Sequence, residues 1–69
     1  MSSNVQICFY DEEGTLILAA ENIMDLLNQL GKSVDEYPKM KRLVNYAVSK
    51  KTTMFIFERR CQVKKVRLK

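Results

Sequence analysis

The chain has no histidine and no tryptophan, one proline, two glycines and two cysteines among its 69 residues. Each shortage removes a class of explanation. Without histidine there is no side chain whose ordinary pKa suits it to general base work near neutral pH, and the usual Cys/His zinc set cannot be completed. Two glycines leave no glycine-rich phosphate loop, and no serine has the glycine partners of a nucleophile elbow. Cys8 and Cys61 allow at most one internal bridge. No apolar run approaches the roughly 18 residues needed to cross a bilayer. No basic start is followed by an apolar signal segment. The expectation is a cytoplasmic protein, or a nuclear one if its source is eukaryotic or viral, with both thiols free. In its apolar segment Cys8 is read as a small buried hydrophobe.

A chain this short buries only about 60% of the surface that it exposes when unfolded, so its core alone gives marginal stability. Small scaffolds gain support from bridges, metals or association. With the first two poorly provided for, a homodimer is the default expectation. Neither a cofactor nor a metal is expected.

Charge is the most informative feature present, because the net of +4 conceals a division along the chain. Residues 1–38 hold seven acids against one base, Lys32, a net of −6; residues 39–69 hold eleven bases against one acid, Glu58, a net of +10. Such asymmetry points to nucleic acid or another charged partner. Mutual neutralisation of the halves, within the fold or between subunits, is the structural alternative.

Val5, Ile7 and Phe9 alternate with Gln6, Cys8 and Tyr10, the period of a strand with one buried face. Asp11-Glu12-Glu13-Gly14 reads as a solvated hairpin turn, since Gly14 can take a positive φ. A return strand from Thr15 to Ala19 would place Leu16 and Leu18 on one face. Ile23, Leu26, Leu27 and Leu30 form a helical stripe, with Asn22 as N-cap and Gly31 just past the end. Ser33-Val34-Asp35-Glu36 matches a capping box. Pro38 then implies either a short turn through Tyr37 or a helix beginning near Pro38 and running to about Ser49, with Met40, Leu43, Val44 and Ala47 as its stripe.

Thr53 to Arg59 reads as a strand with Phe55 and Phe57 on one face and Met54 and Ile56 on the other, a pattern that suits a central position. Val66 and Leu68 share a phase, which Val63 joins only if a bulge near Lys64-Lys65 absorbs a residue. Nothing after Asn45 has the usual turn chemistry. Residues 60–69 are therefore either a fourth strand reached through Arg60-Cys61-Gln62 or a basic tail that orders on a partner.

One domain follows, with residues 1–4 as a flexible start. Its fold class is α+β: a small antiparallel sheet of three to four strands, ββααβ with an optional fourth strand, and two helices on one face. The expected core is Ile7, Phe9, Leu16, Leu18, Ile23, Leu26, Leu27, Leu30, Leu43, Val44, Ala47, Phe55 and Phe57.

A binding role is favoured over catalysis. Arg59 and Arg60 can lower the pKa of Cys61, but no base or orienting group accompanies it. Tyr46 with Lys50 or Arg42 is the sparse set that a histidine-free ribonuclease would use, and no enzyme is expected. Nucleic acid, DNA or RNA, is the expected partner of a small regulatory protein with two contact surfaces. On the second helix Lys39, Arg42, Tyr46 and Lys50 form a stripe of phosphate contacts with a stacking or hydrogen-bonding ring, and Asn45 is a residue type that reads adenine edges. In the C-terminal segment Arg59, Arg60, Lys64, Lys65 and Arg67 can release counterions from a phosphate backbone. The opposing explanations are a solvated helix face and a lysine-guarded edge strand.

Alternate aromatics such as Phe55 and Phe57 occur on the stacking platforms of RNA-binding sheets, but the glycines and base of that signature are missing, and core packing is expected. Segments 38–42 and 60–69 also resemble nuclear import patterns, which arise by chance in basic stretches. The alternative function is a protein-binding regulator or inhibitor that docks by charge complementarity and strand addition. Membrane attachment is not expected, as the basic helix lacks an aromatic anchor and no lipidation pattern is present.

Overall fold

The alternation from Val5 to Tyr10 becomes strand β1, Val5–Tyr10, in a computed structural model that describes residues 5–67. Asp11 builds the turn that follows. Its Oδ1 accepts from the backbone N–H groups of Glu13 and Thr15, each at 2.9 Å, and Gly14 supplies the φ of 86°. The chain returns as β2, Leu16–Ala20, antiparallel to β1. The register slips between Phe9 and Tyr10, so that Phe9 faces Leu18 while Tyr10 faces Leu16. This bulge corrects the pairing expected from alternation, since an extra residue on one strand turns its neighbours to opposite faces. Leu18 is buried and Leu16 is 52% exposed.

Helix α1, Ile23–Leu30, has the boundaries that its caps imply. Asn22 Oδ1 accepts from the Asp25 N–H at 2.8 Å, and Gly31 closes the other end at φ 70°. Ser33 does not complete a capping box: its hydroxyl accepts from the N–H of Asp35, and it starts a single 3-10 turn, Val34–Glu36. Helix α2, Tyr37–Lys50, follows at once, with Pro38 in the first turn where its missing N–H needs no intrahelical partner.

Strand β3, Thr53–Ile56, is shorter than its apolar pattern suggests, because the chain reverses through Phe57 and Glu58 into β4, Arg59–Arg67. Both turn residues have positive φ, 51° and 61°, in a two-residue loop that normally calls for Asn-Gly. Of the two options for residues 60–69, the strand is correct through Arg67. Arg60-Cys61-Gln62 lie inside it rather than leading to it. Its register with β1 runs without a slip from Val5↔Arg67 to Tyr10↔Gln62, so no bulge occurs at Lys64-Lys65, and Val63 and Val66 take opposite faces. Residues 1–4, Leu68 and Lys69, read from the sequence as a flexible start and the end of the basic segment, lie outside the described residues.

The sheet is antiparallel throughout, in the order β2-β1-β4-β3. Both helices cover one face of it. The core joins Ile7, Phe9, Leu18, Ala20, Ile56, Cys61 and Val63 of the sheet to Leu26 and Leu27 of α1 and Met40, Val44 and Ala47 of α2. Ile23 and Leu30 are partly buried against it. Leu43, Phe55 and Phe57, expected inside, are exposed. Leu43 flanks the buried Met40–Val44–Ala47 stripe. The early reversal at Phe57 ends β3 with Met54 and Ile56 directed at the helices, which turns Phe55 outward. Cys8 and Cys61 are both free and buried. Cys8 lies outside the helix-side core, on the opposite pleat.

Candidate functional site

Both helices lie on one side of the sheet, and among the described residues no element covers its other face; strand alternation decides what stands there. From β1 come Gln6, Cys8 and Tyr10; their direct partners on β4 are Val66, Lys64 and Gln62. From β3 come Thr53, opposite Gln62, and Phe55, opposite Arg60. Leu16 and Ala19 of β2 complete the rows beside Tyr10 and Cys8. The face thus carries two aromatic rings, Tyr10 and Phe55, on the strands that flank β4, and two cations, Arg60 and Lys64, on β4 between them. Strand spacing puts the two aromatic Cα atoms on the order of 12 Å apart.

Phe55 is 69% exposed, the most open large apolar side chain among the described residues. Tyr10 is half-buried, and Lys64 Nζ stands 5.7 Å from the centre of its ring. That contact is a cation–π pair, which holds Lys64 over the ring and leaves its charge near the face. The Tyr10 phenol is pushed above its ordinary pKa, first by desolvation and then by the Cys8 thiol beside it, so the ring is neutral under physiological conditions.

The acids lie at one end. Asp11, Glu12 and Glu13 line an open hollow with Arg59 and Arg60, and Asp11 pairs with Arg59 at 3.6 Å. Asp11 is already engaged by the turn that it caps, which accounts for this cluster as turn chemistry. Among the described residues no group of three or more His, Cys, Asp or Glu side chains is placed to hold a metal ion.

The ten residues singled out in the sequence therefore separate. Arg60 and Lys64 reach the open sheet face. Arg59, Lys65 and Arg67 take the alternate, helix-side phase of β4; Lys65 Nζ donates to Asn45 Oδ1 at 3.2 Å, and Arg59 faces Asp11. Arg42, Tyr46 and Lys50 are exposed on α2, in the layer behind the sheet from Arg60 and Lys64, and Lys39 stands at the rim of a groove beside Thr53 and Phe55 of β3. One ligand strand lying on the sheet cannot also follow the helix stripe. Sequence reasoning missed Tyr10 and Gln62 and placed Phe55 in the core. Tyr10 had a usable signal, since its phase opposes that of Ile7 and Phe9.

Comparison with known proteins finds no family model, no curated protein and no solved structure that matches this chain. Among the described residues, no helix is long and apolar enough to cross a membrane.

Proposed function

We propose that this is a small regulatory protein that binds single-stranded nucleic acid across the uncovered face of its sheet. The observation that carries it is the placing of exposed Phe55 and half-buried Tyr10 on either side of the cationic strand β4. Aromatic rings stack on any base, and neighbouring cations hold the phosphates, which is the chemistry of single-strand binding on sheets. Phe55 supplies the open stacking surface. Tyr10 supplies a second one when Lys64 swings from its ring to a phosphate. Arg60 meets the backbone between them, and Gln6 and Gln62 offer amides to base edges. Repulsion from Glu12 and Glu13 directs the strand away from the β1–β2 turn.

This replaces the two surfaces expected from sequence by one, which keeps Arg60 and Lys64 and leaves the α2 stripe to another role. The test is fluorescence anisotropy with labelled single- and double-stranded DNA and RNA. Two to three neutralised phosphates should weaken single-strand binding roughly 7- to 20-fold between about 50 and 200 mM salt. Phe55→Ala should cost about 1–3 kcal/mol of affinity. Arg60→Glu with Lys64→Glu should abolish binding, whereas Lys39→Glu with Arg42→Glu should leave it unchanged. Preference for duplex, or the reverse pattern of charge variants, would move the site to α2.

A further inference from the structure

The two edges of the sheet are finished differently. On β2 the bulge disturbs the edge, and Gln29 of α1 donates from Nε2 to the Ala19 carbonyl at 2.9 Å; irregularity and cover of this kind discourage a further strand. β3 has neither device. Its residues, Thr53-Met54-Phe55-Ile56, include no lysine or proline, their register with β4 is regular, and they pair with β4 alone among the described residues. A two-residue loop makes Ile56 and Arg59 the closing hydrogen-bonded pair, so alternation turns the N–H and C=O groups of Phe55 and Thr53 to the outside.

Beside this edge runs a groove of about 340 Å³ between β3 and the helices. Leu30, Met40, Leu43 and Met54 give it an apolar floor, and Lys32, Glu36 and Lys39 stand at its rim. Lys32 and Glu36 offset one another at 4.0 Å. Lys39 has no such partner among the described residues, and α2 also carries Arg42 and Lys50, with no acid along its length. Two copies joined edge to edge through β3 would bring two such helices together, cation against cation. The charge favours an occupant of opposite sign.

We propose that β3 accepts an extended segment of an acidic protein partner as a fifth strand. Main-chain hydrogen bonds to Thr53 and Phe55 supply the pairing, alternate apolar side chains enter the groove beside Leu43, and carboxylates face Lys39 and its neighbours on α2. This site uses the backbone of Phe55 and the helix side of the edge, and so differs from the nucleic-acid face.

The experiment is to pan a random dodecapeptide library against the full chain and measure the selected peptides by anisotropy. Acidic sequences with alternating apolar residues are expected. N-methylation of every second peptide nitrogen should abolish binding in one phase and spare it in the other, a signature of strand addition. Leu43→Glu and Lys39→Glu should each weaken the peptides at least tenfold, with circular dichroism and oligonucleotide binding unchanged. Failure to enrich, enrichment of basic sequences, or indifference to N-methylation in both phases would overturn the proposal. So would loss of oligonucleotide binding in Leu43→Glu, which gives the groove to nucleic acid, or a sedimenting dimer reverted by Leu43→Glu, which gives it to a second copy.

Discussion

Replacing Phe57-Glu58 by Asn-Gly should make the domain more stable, although it removes an aromatic residue. Both positions are left-handed, at φ 51° and 61°. That conformation costs an ordinary residue roughly 1–2 kcal/mol, so the turn stores about 2–4 kcal/mol. Asparagine tolerates the region and relieves part of the first contribution. Glycine relieves the second but returns about 0.5–1 kcal/mol through its greater entropy when unfolded. Phe57 is 57% exposed, so its loss forfeits little burial. The net gain is about 1–2 kcal/mol. At about 4–8 °C per kcal/mol for a domain of this size, the midpoint should rise by roughly 5–15 °C. Thermal and urea denaturation followed by far-ultraviolet circular dichroism measure it, with an unchanged m-value as the check that the same surface unfolds. A midpoint that stays or falls would refute the strain. Strain kept in a turn that joins the strands bearing Phe55 and Arg60 is consistent with selection there for something other than stability.

Three further outcomes follow from the geometry. Asn22→Ala should cost about 1 kcal/mol by orphaning the Asp25 N–H at the start of α1, seen as a lower urea midpoint. Arg59→Ala should change stability by less than about 1 kcal/mol, because its pair with Asp11 spans 3.6 Å and its side chain is 61% exposed. Burial raises the Cys61 thiol above its ordinary pKa and Asp11 adds to the rise, outweighing the backbone hydrogen bond with Ile56 and the charge of Arg59, which lower it. The unfolded thiol therefore ionises first, and stability from this group is complete below the ordinary thiol range and is lost as pH rises from there through the raised folded pKa. Cys61→Ala should flatten that alkaline decline in denaturation curves compared across pH, beneath any loss of overall stability.

Much of the fold was legible because its signals are local. Asn22 and Gly31 bound α1, and the Val5–Tyr10 alternation fixes the inner and outer faces of β1. What was not legible depends on pairing. The slip opposite Tyr10 sets Leu16 apart from Leu18, and no pattern within β2 announces it. The Phe57-Glu58 reversal lacks glycine and asparagine, so β3 read as longer than it is and Phe55 as core. The same reversal decides which bases of β4 share a face. Spacing in a tail cannot separate Arg60 and Lys64 from Lys65 and Arg67 until a register exists. Tyr10 and Lys64 meet only because β1 and β4, at opposite ends of the chain, are neighbours in the sheet.

The most direct test of the open sheet face as the nucleic-acid site is an amide chemical-shift titration of the labelled protein with a short single-stranded oligonucleotide. Shifts concentrated at Tyr10, Phe55, Arg60, Gln62 and Lys64, with Lys39, Arg42 and Tyr46 unmoved, are expected. Shifts along α2 with a silent sheet face, or none at low salt, would contradict it.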